Sequence, residues 1–585
     1  MRSLSLNALA VAAFFPGSIL GFDTGPHNDM VRNAFEIFGY SREAGMLASV
    51  TNWWTDMYAF SPNLPKSSVT PAHISQLEQM HCNNLYSIVY GANYITQHVV
   101  NTRAAVQDAV RRKDTLAYLA ILGTSVHTYQ DFYAHSNWAN LHLRQSCDCY
   151  DVKETFFSEL VEANGSVTRM IELNPELTGW GTYEWLGREY PNFNTKGGIV
   201  EHGDYCNGVN KDSYVRPWFE ETYSYAFAST LEWIYNVEKW AVEIDATNAT
   251  LNAARSWVPP DQASADGLQK NFDAAFEVSY SATQAMFGES DGHWKGQGSG
   301  SISTFAASVV TFSGTETPYT NLFLRPQDPV YQLIVSPSPY TYLNTSVGPT
   351  GDVVPNQAVI SAALESFTPY SALPSKYTTD LTAVVVRTTR FTVSDAKTGR
   401  FSDPDPWAAI TIGGFEIKEA PMRNQKDFRP YWTAIKFVSK SATSIPISYK
   451  LNDAATSSSF EQIIPITGTA AGTLEMTFTP DTKVVAADGI SSGVYSNYST
   501  TFISRSLDGS SVELYVDARP LTCGTAGQNG TFITFCPNTA YGEMGVFGGC
   551  DGSRWAEVQA DSAASMFKPT YFTVLPVLAL LALAF

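Results

Sequence analysis

The chain is 585 residues long, 44% hydrophobic and 13% aromatic, with seven cysteines and a formal net charge of −19. That length suits two or three domains. The acidic balance, with no basic tract, argues against a protein that holds nucleic acid chiefly through its phosphates, although a nuclease whose metals supply the positive field stays open.

A single Arg2 precedes the apolar run Leu4–Leu20, which ends in the small residues Gly17, Ser18 and Gly21. Residues 1–21 read as a secretory signal peptide, too short and wrongly flanked for a membrane span. Cleavage after Gly21 would make Phe22 the mature N-terminus. Five N-x-S/T sequons, at Asn164, Asn248, Asn344, Asn497 and Asn529, agree with a secretory route. So do the cysteines, Cys82, Cys147, Cys149 and Cys206 in the first part and Cys523, Cys536 and Cys550 near the end, whose pairing is not legible from sequence.

Residues 22–249 read as helical. His98–Ala120 has few helix breakers, and Glu220–Val242 repeats apolar and aromatic residues at helical spacing. Within this region Gly123–His142 reads GTSVHTYQDFYAHSNWANLH and places His127, Asp131 and His135 four residues apart. Residues so spaced lie about 40° apart around a helix, on one stripe, and form a chelate for a divalent metal. His127 and His135 are separated by about 12 Å along the axis, so they cannot share one ion. Asp131 between them could pair with either or bridge two ions. Other candidate ligands flank the segment: His27, Asp56, His73, His81, His202 and Asp204. Nearly all of the nine histidines precede residue 288, as a multi-metal helical region requires. His98 and His293 read as ordinary surface or core residues, and His142 lies near the face of His135.

Residues 250–301 read as a linker with a helical segment, ending in the flexible Gly296–Ser301. From 302 to 550 short runs of Val, Ile, Thr, Tyr and Phe are cut by Pro, Gly, Asn and Asp, as in Thr382–Thr392, Trp407–Ile412, Thr433–Phe437 and Ile445–Leu451. This is the texture of a β-sandwich. Residues 551–585 contain the small residues Asp561–Ser565, a spacer and the apolar tail Phe572–Phe585, the layout of a GPI-anchor signal. The fold expected is therefore multidomain α plus β, on a secreted protein tethered at the cell surface.

The order His27, Asp56, His73, His127, Asp131, His135, His202 resembles the zinc-dependent phospholipase C superfamily, an all-helical fold shared with fungal single-strand-specific zinc nucleases. The string DFYAHSNW and the later Gly208–Ser213 are similar to its HET-C-like branch. The resemblance covers about residues 22–245 and implies two or three zinc ions. Asp56, His73, His127 and Asp131 would hold the first. His135 and His202 with one carboxylate would hold the second. The Phe22 amine, His27 and a bridging Asp131 would hold the third. The acid expected four residues after His202 is replaced by Cys206, so Asp204, Asp212, Glu220 or Glu221 would have to substitute. The resemblance implies phosphodiester hydrolysis by metal-activated water, with Asp56 as the catalytic group that orients or deprotonates it. Tyr133, Trp53, Trp54 and Trp138 are candidates to line the pocket.

Phe401–Gly413 and Arg429–Phe437 resemble the strands of a C2-like sandwich at about 380–480. Asp395, Asp403, Asp405 and Asp453 would then be the calcium ligands, since calcium takes several clustered oxygens. Membrane lipid is the partner this combination implies. Three functions compete: a zinc phosphodiesterase of phospholipid headgroups, a zinc nuclease, and a non-catalytic HET-C-like cell-surface protein with a degenerate site.

Overall fold

The computed structural model describes residues 24–60, 80–82, 88–142 except 137, 149–167 except 154, 178–180, 200–201, 211, 219–273, 354–394, 404–419, 426–453 except 429 and 431, 462–467, 472–487, 494–495, 499–505 and 509–523. Helices fill mostly the N-terminal part and antiparallel strands the C-terminal part, an α plus β multidomain fold.

The helices are α1 (Thr24–Phe38), α2 (Arg42–Phe60), α3 (Ile88–Arg111), α4 (Thr115–Ala134), α5 (Trp138–Leu141), α6 (Phe156–Glu162), α7 (Phe219–Ile244), α8 (Ala249–Arg255) and α9 (Gln357–Ser366). A further helical run covers 262–273. α4 is the central helix, buried without interruption from Ala117 to Ala134 and packed against α2, α3 and α7. A helix buried on every side belongs inside such a bundle. Gly123 permits the approach of α2, because a Cβ there would overlap the Ala48 carbonyl and the Thr51 hydroxyl.

The run 98–120, expected to be helical, is divided between α3 and α4. Lys113 takes a left-handed conformation (φ +56°) that ends α3, and the Asp114 side chain then caps α4 by accepting from Ala117 N at 3.0 Å. The break turns α4 back against α3, which a single long rod could not do.

The strands are β1 (Thr178–Trp180), β2 (Val200–Glu201), β3 (Leu381–Thr392), β4 (Pro406–Ile412), β5 (Phe415–Lys418), β6 (Asp427–Phe428), β7 (Thr433–Ser439), β8 (Ile445–Asp453), β9 (Gln462–Ile464), β10 (Leu474–Thr479), β11 (Val484–Ala487), β12 (Val494–Tyr495), β13 (Ser499–Arg505) and β14 (Ser511–Pro520). One sheet runs β11-β10-β8-β4-β5 with β9 on β8; the other runs β12-β13-β14-β3-β6 with β7 on β3. Their facing side chains, among them Val384 and Val516 from one sheet and Ile410 and Tyr449 from the other, share one core. β3 shows why its sequence is a continuous apolar run. Val384 and Val386 enter the core between the sheets, whereas Ala383 and Val385 enter the helical core. Side chains alternate along a strand, so a strand buried on both faces needs apolar residues at every position.

The helical and β regions are joined by more than apolar contact. Asn33 on α1 pairs with the open edge of β7, donating to Phe437 O at 3.0 Å and accepting from Phe437 N at 2.7 Å. The Phe437 ring stacks on Phe227 of α7 at 3.9 Å. Residues 150–152 run beside the end of β14, with Tyr150 N donating to Pro520 O and Val152 N to Leu521 O, both at 2.9 Å. A disulfide joins Cys149 to Cys523, and Cys82 is a free, buried thiol. Within the stretch whose texture reads as β from residue 302, the described residues 357–377 are instead α9 and two short 3-10 turns. Ile360, Ala363, Phe367 and Tyr370 belong to the helical core. No helix among the described residues is long and apolar enough to cross a membrane.

Candidate metal centre

α4 presents His127 and Asp131 one turn apart, as their spacing predicts, with His127 Nε2 2.9 Å from Asp131 Oδ2. Segment 80–82 brings His81, whose Nδ1 lies 2.9 Å from both Asp131 Oδ2 and His127 Nε2. α1 brings His27, whose Nε2 lies 3.1 Å from Asp131 Oδ1 and whose ring stacks on His127 at 4.2 Å. All four residues have no solvent exposure.

A chain of amides sets which ring nitrogens carry hydrogen. The Thr230 hydroxyl donates to Ala226 O at 2.8 Å, so its oxygen accepts from Gln130 Nε2 at 3.0 Å. That turns Gln130 Oε1 toward the site, where it accepts from Asn52 Nδ2 at 3.0 Å and His27 Nδ1 at 2.6 Å. Asn52 Oδ1 then accepts from His127 Nδ1 at 3.2 Å. A neutral imidazole with hydrogen on Nδ1 carries a lone pair on Nε2. His127 and His27, each with hydrogen on Nδ1, therefore both turn Nε2 toward the Asp131 carboxylate.

Burial drives the His127 imidazolium pKa down to about 3, with the nearby His27 and His81 adding to it against the pull of Asp131, so the ring is neutral near pH 7. Burial alone would raise the Asp131 carboxyl. The histidines around it, His127 first and then His135 and His27, outweigh that and hold it well below the usual carboxylate range. Lone pairs facing a carboxylate at hydrogen-bond distance repel unless a cation lies between them. The His81 Nδ1, His127 Nε2 and Asp131 Oδ2 atoms form a triangle of 2.9 Å edges. His and carboxylate atoms of this kind are the donors that zinc takes. The buried His27, His127 and Asp131 also bring their ligand atoms within 4.8 Å of one another and could hold a metal ion. Asp131 turns Oδ1 to His27 and Oδ2 to His81 and His127.

His135 follows one turn after Asp131 at the end of the helix. α4 stops at Ala134, and His135 is its C-cap, with N donating to Asp131 O at 2.8 Å. Its Nδ1 donates to His81 O at 2.5 Å, so it anchors the segment that delivers His81. Glu220 is placed differently. Its carboxylate meets Arg387, Arg519 (3.3 Å) and the Tyr150 hydroxyl (3.0 Å), so strong cations already occupy it. Glu221 is buried beside it on α7. Among the proposed pocket residues, the Tyr133 hydroxyl accepts from Phe156 N and Ser229 Oγ, and Trp53 and Trp138 are fully buried in the helical core. They are packing residues.

His98 Nε2 donates to Ser125 O at 2.8 Å, and its ring stacks on Trp233. His142 Nδ1 donates to Trp138 O, and its Nε2 lies 3.5 Å from Glu159. In the β region Asp453 Oδ1 accepts from Asp405 N at 2.9 Å. Asn164 and Asn248 lie at helix ends in left-handed conformations. Asp56 lies on α2, but its side chain is outside the described residues. So are Phe22, His73, His202, Asp204, Asp212, Asp395, Asp403, Asn344, Asn497 and Asn529, together with His293 and the Trp54 side chain.

His81, Asn52 and Gln130 carry much of this geometry without a distinct role in the sequence reading. The available signal was the polar content of α4. A helix buried all round has no reason to hold Gln130 beside His127 and Asp131 unless the three act together.

No family model matches the chain. No curated relative matches it either. Among solved structures, it is similar to human GIVD cytosolic phospholipase A2 in complex with methyl gamma-linolenyl fluorophosphonate at 9% identity and a TM-score of 0.17. That match spans 24% of this chain and 18% of the other, and a likeness so slight carries no argument about fold or activity.

Proposed function

We propose that the chain is a secreted, membrane-tethered, zinc-dependent phosphodiesterase that hydrolyses phospholipid headgroups. The observation behind this reading is the convergence of three imidazoles, two with fixed tautomers, on both oxygens of one buried carboxylate. His81, His127 and Asp131 Oδ2 would hold one zinc ion, and His27 with Asp131 Oδ1 would join a second. Bound zinc supplies a water that is deprotonated near neutral pH and stabilises charge on phosphoryl oxygens. The chain's own residues set up that chemistry. Asn52 and Gln130 hold the His127 and His27 rings in the tautomers that present Nε2. His135 fixes the backbone of His81. Asp56, four residues after Asn52 on α2, is the proposed base. The β region would act as a C2-like module on lipid, with Asp395, Asp403, Asp405 and Asp453 as its calcium ligands, and a GPI anchor would keep the protein at the membrane.

Elemental analysis of the purified protein should return about two zinc ions per chain. Headgroup release from phosphatidylcholine vesicles should vanish in His127→Ala. A protein free of metal with all four ligands intact would sink the proposal. The complete burial of all four ligands favours a second reading, a non-catalytic HET-C-like surface protein with a structural metal. Bound zinc without turnover on phospholipid or on single-stranded DNA would select it. Turnover of DNA alone would select the nuclease.

A further inference from the structure

Of the Gly208–Ser213 string, Lys211 packs against the end of α4 and is only 4% exposed. Its backbone N donates to Ala134 O at 2.9 Å, and its Nζ donates to Ser136 O at 2.6 Å. The two accepting carbonyls lie on either side of His135. A helix end leaves its last carbonyls without intrahelical donors, and a cation there also meets the negative end of the helix dipole. Lys211 supplies both a donor and a cation from 75 residues away in sequence.

A lysine is seldom buried, because it gives up both hydration and rotamer freedom. What this one holds is a chain of contacts that ends at the candidate ligands. His135 N donates to Asp131 O at 2.8 Å, and His135 Nδ1 donates to His81 O at 2.5 Å. His81 Nδ1 in turn lies 2.9 Å from Asp131 Oδ2. The segment 80–82 is fastened to α4 through the Cys82 thiol, which donates to Thr128 O at 3.3 Å, and through His135. Cys82 itself takes a left-handed conformation (φ +52°), an uncommon one for a side chain of its kind. A ring on so short a segment takes its position from such fastenings. His135 can supply one only while the turn after Ala134 keeps its course, and Lys211 binds that turn on both sides.

Given the metal centre proposed above, we infer that Lys211 is a positioning residue for it, acting through His135 to keep His81 on Asp131. Competition with a chromogenic chelator should show zinc held about tenfold more weakly by Lys211→Met than by the parent chain. His135→Ala should lose about as much, and the double variant no more than His135→Ala alone, because one residue acts through the other. In the cobalt-loaded chain, the visible absorption of Lys211→Met should shift as the His81 nitrogen withdraws. Arg519→Met, destabilised in a different cluster, should keep the parent spectrum. Lys211→Gln, one atom shorter and neutral, tests the same link if Lys211→Met melts early. Unchanged zinc affinity and spectrum in a folded Lys211 variant overturn the inference alone, and so do losses that add in the double variant. A parent chain that binds neither zinc nor cobalt overturns it together with the metal reading.

Discussion

Two buried clusters of charge lie in this molecule, and they are built on opposite principles. At the start of α7, Glu220 and Asp517 meet Arg387 and Arg519. Arg519 donates to Asp517 at 2.9 Å, to Glu220 at 3.3 Å and to the Tyr515 hydroxyl at 2.9 Å, and Lys483 meets Asp517 at 2.8 Å. Every carboxylate there has a resident cation. Around Asp131 the neighbours are the imidazoles of His27, His81 and His127, and burial keeps the His127 ring neutral near pH 7. The first cluster carries its cations within the polypeptide, whereas the second is a group that could hold a metal ion. Burial of charge is tolerated in both places, but the compensation has a different source.

The largest effect should come from Asp131→Asn, which keeps the shape and removes the charge. It should abolish metal binding and headgroup release, and lower stability by about 4 kcal/mol at saturating zinc, the linkage expected for a tightly held ion. Melting with and without a chelator checks this, since the chelator should affect only the parent protein. Arg519→Met attacks the other cluster. Leaving Glu220 to Arg387 alone and Asp517 to Lys483 alone should cost about 3 kcal/mol in urea unfolding, with zinc content unchanged. Loss of zinc in that variant would merge the two clusters into one system.

A third buried carboxyl sharpens the contrast. Glu232 on α7 accepts from the Thr155 hydroxyl at 3.0 Å and Tyr370 N at 2.6 Å, and burial outweighs both and pushes its pKa up to about 8. With a folded-state value above the unfolded one, its contribution is intact below about pH 4.5 and is lost as pH rises toward 8. Glu232→Gln should therefore gain on the order of 3 kcal/mol over the parent at pH 8 and almost nothing at pH 4.5, read from urea midpoints. An equal gain at both pH values would mean that packing, and not the proton, is responsible. The smallest effect belongs to Asn52→Leu, which frees the His127 tautomer. Zinc affinity should fall about 10–100-fold, measured by competition with a chromogenic chelator.

Local features of the metal centre were legible in the sequence. His127 and Asp131 are four residues apart on one helix, so spacing alone places them together. His27 was brought to Asp131 by resemblance and by nothing in its own surroundings. His81 has no periodicity around it, and its place depends on the hydrogen bond from His135 to its carbonyl. His135 follows Asp131 by one turn as its spacing predicts, its N bonded to Asp131 O at 2.8 Å, and its bond to the His81 carbonyl could not be read from spacing. The β strands announced themselves through β-branched runs, but α9 was hidden in the same region because ten residues are too few to outweigh the flanking texture. The arginine cluster could not be foreseen, since Glu220 and Arg519 are joined only by the tertiary fold.

The division of β3 between two cores bears on how the molecule is made. The helical core includes Ala383, Val385, Ile435, Phe437 and Leu521. A nascent chain that has produced every helix through α8 still lacks the floor on which they rest. Contacts of such long sequence separation close late and slowly, and the apolar underside stays open until they do. The metal ligands from α1, α2 and α4 would be synthesised early but would reach their final spacing only after β14 has emerged. Zinc loading should accordingly follow completion of the chain rather than accompany its growth.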